Sequence, residues 1–140
     1  GGGMTADAAV GGIREVDAYG SIGLFSKESA PPYNRPPLSK DLWKGTPMAS
    51  IWRNTADRDT ELHLACKVES IDPERKRIVD NRRISHTFDK LLLATGGTPR
   101  RLPFGGDQII YFRTLADYRR LQALAEKGQC FAVIGGGFIA

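Results

Sequence analysis

Cysteine is scarce and scattered: Cys66 and Cys130 are the only two, and they form no C-x-x-C pair. Each stands beside apolar, strand-like residues, where a free thiol acts as a small hydrophobe, and a reducing, cytoplasmic setting is expected. Histidine is as rare. His63 and His86 lie alone in an alternating stretch and read as structural or solvated, so no metal-ligand cluster is in sight. Long apolar runs are missing as well. The longest, 91–94 and 131–134, are strand-sized and far short of the ~18 residues a spanning helix needs. No signal peptide or lipidation motif is visible, and no membrane partner is expected. An excess of one charge is nearly absent too: 20 basic and 16 acidic side chains leave a net +4. The arginine clusters at 75–77, 82–83 and 100–101 gather mostly around turn signals such as Asp72-Pro73 and Asp80-Asn81. Solvated hairpin tips fit that pattern better than a nucleic-acid surface.

Glycine is what the sequence has in quantity, with 16 residues placed as punctuation. Three open the chain, Gly1-Gly2-Gly3, and three stand near its end, Gly135-Gly136-Gly137. The chain begins at Gly1 without an initiator methionine and stops at Ala140 inside a motif. A piece cut from a longer protein is therefore expected.

Between the two glycine runs the periodicities alternate. Ala6, Ala9, Val10 and Ile13 form a helical stripe within 4–14, followed by a short strand at 21–25. A proline-rich loop covers 30–37, and Pro36 or Pro37 is placed to open a helix through Leu42 and Trp43. From Glu61 the pattern turns to short strands at 62–64, 68–71, 77–79 and 84–88, a small meander. The apolar run 90–94 predicts a strand buried on both faces, and 109–112 and 129–134 predict further strands. A helix over 115–127 stops at Gly128.

Both ends fit G-x-G-x-x-G/A, as Gly1, Gly3, Ala6 and Gly135, Gly137, Ala140. In this motif the first glycine permits a tight strand-to-helix turn and the second lets the backbone approach a pyrophosphate. The third small residue lets helix and strand pack closely, with the phosphates on the helix N-terminus. An acidic residue after the next strand then holds ribose hydroxyls; Glu28 stands at that distance, while Asp17 falls before the strand. Read alone, residues 1–3 also fit a flexible tag and 135–137 an ordinary turn. Two matches in strand–turn–helix context favour dinucleotide binding.

The intervening segments make the pattern more specific. They are Gly1-Gly2-Gly3-Met4-Thr5-Ala6, Pro32-Tyr33-Asn34-Arg35-Pro36-Pro37-Leu38-Ser39-Lys40, Leu92-Leu93-Ala94-Thr95-Gly96-Gly97-Thr98-Pro99-Arg100, Arg113-Thr114 and Val133-Ile134-Gly135-Gly136-Gly137-Phe138-Ile139-Ala140. In this order the sequence resembles, end to end, the FAD-dependent pyridine nucleotide–disulfide oxidoreductase superfamily. Its nearest branch is that of ferredoxin/rubredoxin reductases and apoptosis-inducing-factor-like flavoproteins.

The resemblance implies an α/β fold: a Rossmann-like, three-layer FAD-binding domain with a parallel sheet and a small β-meander. It would occupy residues 1–112, lacking its first strand and its C-terminal return segment, and 113–140 would begin an NAD(P)-binding domain. Gly1, Gly2, Gly3, Met4, Thr5 and Ala6 would hold the FAD pyrophosphate and Glu28 the adenosine ribose. Arg35 would lie against FAD and Lys40 near its isoalloxazine end, though both also fit surface charges. The Val68 backbone would meet adenine, Thr95 and Gly96 would pass the cofactor, and Arg100 would lie just beyond. Gly135, Gly136, Gly137, Phe138 and Ile139 would bind the pyrophosphate of NADH or NADPH.

The disulfide branches carry a redox-active cysteine pair where this chain has residues 33–40 and no cysteine, which excludes a dithiol relay there. No side chain is assigned a catalytic role. The implied activity is hydride transfer from NAD(P)H to FAD, then electron transfer to a ferredoxin- or rubredoxin-like acceptor. The alternatives are a redox-sensing module of the apoptosis-inducing-factor type and a nonfunctional truncation. Losing about five buried side chains of a first strand, on the order of 10 kcal/mol, matches a typical domain's whole stability. The isolated chain is accordingly expected to bind FAD weakly and to lack turnover.

Overall fold

A computed structural model describes residues 1–139. The chain divides into two compact units, one of Gly1–Asn34 and Trp52–Gly96, the other of Arg35–Ile51 and Gly97–Ala140.

In the first unit, helix α1 (Met4–Val16) follows the glycine run directly. Strand β1 (Ile22–Phe25) pairs in parallel with β2 (Thr60–His63), in the register Ile22 to Thr60 through Phe25 to His63. Successive side chains of a strand point to opposite faces, and β1 uses both. Leu24 packs under Ala6 and Val10 of α1, joined by Ile22, Leu62 and Ala94. On the other side the Phe25 ring stacks on His63 at 4.2 Å and meets the edge of His86 at 4.8 Å. His86 belongs to an antiparallel meander of β3 (Val68–Asp72), β4 (Arg77–Asp80) and β5 (Ser85–Thr87). Helix, parallel pair and meander therefore form three layers, as the family resemblance implies.

Asp80 pins the β4–β5 turn. Its carboxylate is 2% exposed and accepts the amides of Arg82 and Ile84, both at 2.9 Å. It also accepts the Cys66 thiol at 3.4 Å and lies 3.2 Å from His86 Nε2. Burial alone would raise its pKa, but the Ile84, His86, Arg82 and Cys66 hydrogen bonds more than offset this and hold it at about 2. The same burial and the same carboxylate push the Cys66 thiol up, so it is an unreactive core group. A depressed carboxylate stabilises the fold above its ordinary pKa of 3.8, and this is lost as pH falls toward about 2. Asp80→Asn should therefore flatten the loss of meander structure between about pH 4 and pH 2, followed by near-UV circular dichroism. An unchanged acid slope would refute that role.

In the second unit, helix α2 (Leu115–Ala125) opens on a capping box. The Thr114 hydroxyl accepts the Asp117 amide while the Asp117 carboxylate accepts the Thr114 amide at 2.7 Å. The helix packs on the turn Pro36–Ser39, and Tyr118 meets Trp43 edge-on at 5.2 Å.

Several expected elements differ. Residues 62–64 do not join the meander; β2 ends at His63 and lies parallel to β1. The helix from Pro36 through Trp43 is two 3-10 turns, Pro36–Ser39 and Asp41–Lys44, broken at Lys40 and stopped by Gly45 at φ +89°. The runs 90–94, 109–112 and 129–134 form no strand. Leu92 and Leu93 are 60% and 63% exposed, and Val133 and Ile134 71% and 83%. An apolar run becomes a strand only when a neighbour takes its backbone hydrogen bonds, and no described strand pairs with these segments. For the same reason Cys130, expected to act as a small hydrophobe beside strand-like residues, is exposed. Among the described residues no helix is long and apolar enough to cross a membrane.

Candidate dinucleotide-binding site

The first glycine motif forms a turn held on two sides. A Cβ on Gly1 would collide with the Ala94 carbonyl and touch the Thr95 backbone, and one on Gly2 would strike the Ser26 side chain. Glycine is therefore required here by backbone packing against the end of β1 and the 94–95 segment. Ala6, 7% exposed, is the small residue at the helix–strand contact. Gly3 is the N-cap and contributes no side chain, and its carbonyl accepts the Asp7 amide at 3.1 Å. The amides at Gly3, Met4, Thr5 and Ala6 precede the first intrahelical bond and sit at the positive end of the helix dipole, a natural seat for a pyrophosphate. The residues present thus fit such a group.

Asp7 sits in this same first turn and opposes an anion there unless it is neutralised. It is: the side chain, 1% exposed, contacts Arg53 Nε and Arg58 Nη2, both at 2.5 Å, and accepts the Thr55 hydroxyl at 2.6 Å. Burial raises its pKa, but Thr55, Arg53 and Arg58 more than compensate and hold it below the ordinary carboxylate value. Arg53 also donates to Asn34 Oδ1 at 2.6 Å. Sequence reading missed this network because its members lie 46 to 51 residues apart. An acid in the first turn of a helix expected to meet phosphates was the available signal.

After β1 the chain turns back on itself. The Ser26 carbonyl accepts the Cys66 amide at 2.8 Å, and the Glu28 carbonyl accepts the Ala65 amide at 2.9 Å. The Glu28 amide donates to Ser26 Oγ at 3.2 Å, and its carboxylate accepts the Tyr33 hydroxyl at 2.6 Å. Val68 begins β3 just beyond the tethered 65–66 segment. Asp17, by contrast, caps a tight turn through the amides of Tyr19 and Gly20, which hold its pKa down.

The expected residues are therefore divided. Gly1 to Ala6, Glu28, Val68, Thr95 and Gly96 belong to the first unit, with Gly96 at φ +67°. Arg35, Lys40, Arg100 and the second motif belong to the other unit. There Arg35 Nη1 donates to the Arg113 carbonyl at 3.0 Å, and Lys40 Nζ lies 5.5 Å from the Phe138 ring centre. Residues 135–139 are exposed and show no strand-to-helix turn; Ala140 lies outside the described residues. Among the described residues no three His, Cys, Asp or Glu side chains gather to hold a metal.

The sequence pattern of the family described as "Pyridine nucleotide-disulphide oxidoreductase" matches residues 1–140. The chain is 40% identical, over 91% of its length, to the ferredoxin–NAD(+) reductase component of the p-cumate 2,3-dioxygenase system of Pseudomonas putida. It is 32% identical, over 99% of its length, to the mitochondrial apoptosis-inducing factor 1 of Dictyostelium discoideum. It spans 34% and 30% of those proteins respectively. Among solved structures, the ferredoxin reductase for the CYP199A2 system of Rhodopseudomonas palustris superposes with a TM-score of 0.79 at 27% identity. That match covers 90% of this chain and 33% of the other. A covalent putidaredoxin reductase–putidaredoxin complex gives 0.76 at 26% identity, covering 89% of this chain and 32% of that one.

Proposed function

We infer what this chain does from what it is: it belongs to the pyridine nucleotide-disulphide oxidoreductase family. It is the FAD-binding part of a flavoprotein reductase that takes electrons from NADH or NADPH and delivers them to a ferredoxin- or rubredoxin-type protein. The observation that carries this reading is the glycine turn, packed so closely against Ala94 and Ser26 that no side chain fits, at the open N-terminus of α1.

In this reading residues 1–112 serve FAD and 113–140 begin the nicotinamide nucleotide domain. The amides after Gly3 hold the FAD pyrophosphate, and the Asp7–Arg53–Arg58 network keeps Asp7 from repelling it. Glu28 accepts the adenosine ribose hydroxyls, the Val68 backbone faces adenine, and Thr95 and Gly96 line the passing cofactor. Arg35, Lys40 and Arg100 supply positive charge toward the diphosphate and the flavin, and Gly135 to Ile139 receive the nicotinamide nucleotide. Bound FAD supplies the conversion of a two-electron donor into single-electron steps. The chain itself supplies binding, orientation and charge. No thiol is given a role: Cys66 is buried against Asp80, and Cys130, exposed, belongs to the second unit. Free thiols suit the reducing cytoplasm.

The test is to purify the longest polypeptide that carries this chain. It should show flavin absorbance bands and NAD(P)H-dependent reduction of an iron–sulfur or rubredoxin acceptor. A colourless protein that takes up no FAD would end the proposal. Similarity to an apoptosis-inducing factor supports a second reading, a redox-sensing module. Stoichiometric FAD with very slow acceptor reduction would favour it.

A further inference from the structure

We propose that Tyr33 is a positioning residue for dinucleotide binding: its hydroxyl aims the Glu28 carboxylate at the vicinal hydroxyls of the adenosine ribose. The inference rests on the reading of Glu28 as the ribose acceptor and goes one residue further.

Glu28 is anchored at its backbone. Its amide is held by Ser26 Oγ at 3.2 Å and its carbonyl by the Ala65 amide at 2.9 Å, so the base of the side chain is fixed. A glutamate still has three side-chain torsions, and a half-buried one at a loop must lose that freedom to accept two hydroxyls at once. Tyr33 removes much of it beforehand, donating to Glu28 Oε2 at 2.6 Å.

Tyr33 is suited to this because it is itself immobile. The ring is 1% exposed and meets Trp52 edge-on at 6.2 Å. Its backbone forms a bridge with Trp52, and the neighbouring Pro32 carbonyl accepts the Arg53 amide at 3.1 Å. A buried tyrosine hydroxyl needs a partner, and here the partner is a carboxylate at the rim of the dinucleotide turn. The bond is charge-assisted, and its donor leaves the carboxylate's negative charge in place. Restricting the acceptor before the ligand arrives raises affinity by lowering the ordering cost of binding.

The experiment uses the whole polypeptide carrying this chain, freed of flavin. It is titrated with FAD and with a FAD analogue whose adenosine lacks both ribose hydroxyls. Wild type should prefer FAD. Tyr33→Phe should weaken FAD about five- to tenfold, as for loss of one charge-assisted hydrogen bond, and the analogue less than about twofold. A general packing defect would weaken both equally and overturn the proposal, as would no change for either.

Glu28→Gln tests the same contact with the ring untouched. It should lose the discrimination between the two ligands and shift the near-UV tyrosine signal, and adding Tyr33→Phe should cost FAD binding little more. Glu28→Gln with wild-type discrimination would also overturn it. Wild type that binds FAD and the analogue equally would remove the ribose role but leave FAD binding standing. Wild type that binds neither would remove the functional reading itself.

Discussion

Replacing Asp7 with asparagine is expected to lower the unfolding free energy by about 2–3 kcal/mol, with an unchanged denaturant slope. Asp7 is 1% exposed and is the shared acceptor of Arg53, Arg58 and Thr55. Removing its charge leaves two guanidinium groups facing an amide in the first turn of α1. Breaking a buried pair typically costs ~3–5 kcal/mol. The lower figure applies because the arginine side chains are 30% and 33% exposed, so water screens part of the loss. Asn keeps one oxygen for Thr55, so Asp7→Ala should be worse than Asp7→Asn. Replacing Asp7, Arg53 and Arg58 together by apolar residues of similar volume should recover much of the loss, since then no charge is left unpaired. Because the Asp7 carboxyl is held below its ordinary value, its contribution is fully present above that value and fades as pH falls through the lower folded one. Urea unfolding of the variants at neutral pH decides the matter. A change below about 0.5 kcal/mol for Asp7→Asn would mean the network is a surface ornament.

Local signals account for what was legible in the sequence. The helix over α1 follows from the spacing of Ala6 and Val10, which the structure buries on Leu24. The meander follows from alternation interrupted by Asp72-Pro73 and Asp80-Asn81, and Asp80 takes the turn amides as such a residue should. The glycine turn was legible because its chemistry needs glycine at fixed offsets. What failed or was missed depends on partners distant in sequence. Residues 90–94 and 131–134 have strand composition, yet strand formation depends on a neighbouring strand taking the backbone hydrogen bonds, and no described strand pairs with either segment. Thr60–His63 alternates as the meander does, but its register with β1 is parallel, and no periodicity distinguishes the two. Asp7, Arg53 and Arg58 read individually as ordinary surface charges. Tyr33 lies within the segment 32–40, but nothing local says that its hydroxyl reaches Glu28.

Gly1→Ala and Gly2→Ala should both weaken FAD binding, and they differ in what can relieve them, which is set by what each new methyl meets. At Gly1 the obstacle is the Ala94 carbonyl with the Thr95 backbone behind it, and neither can rotate away. The turn must then leave the 94–95 segment, displacing the amides proposed to receive the pyrophosphate. Overpacking of this kind costs about 3 kcal/mol, or roughly a hundredfold in affinity. At Gly2 the obstacle is the Ser26 side chain, where rotation can carry Oγ away but Cβ moves only with the backbone that follows β1. That cost is also one of overpacking, about 1–3 kcal/mol, or roughly ten- to a hundredfold. The difference has a signature. Ser26→Gly removes the atoms that Gly2→Ala would strike, so the double variant should bind FAD better than Gly2→Ala alone. No change at Ser26 should rescue Gly1→Ala. Flavin titration of the four proteins reads this directly. Rescue of both variants by Ser26→Gly, or of neither, would mean that the turn is not held between the end of β1 and residues 94–95.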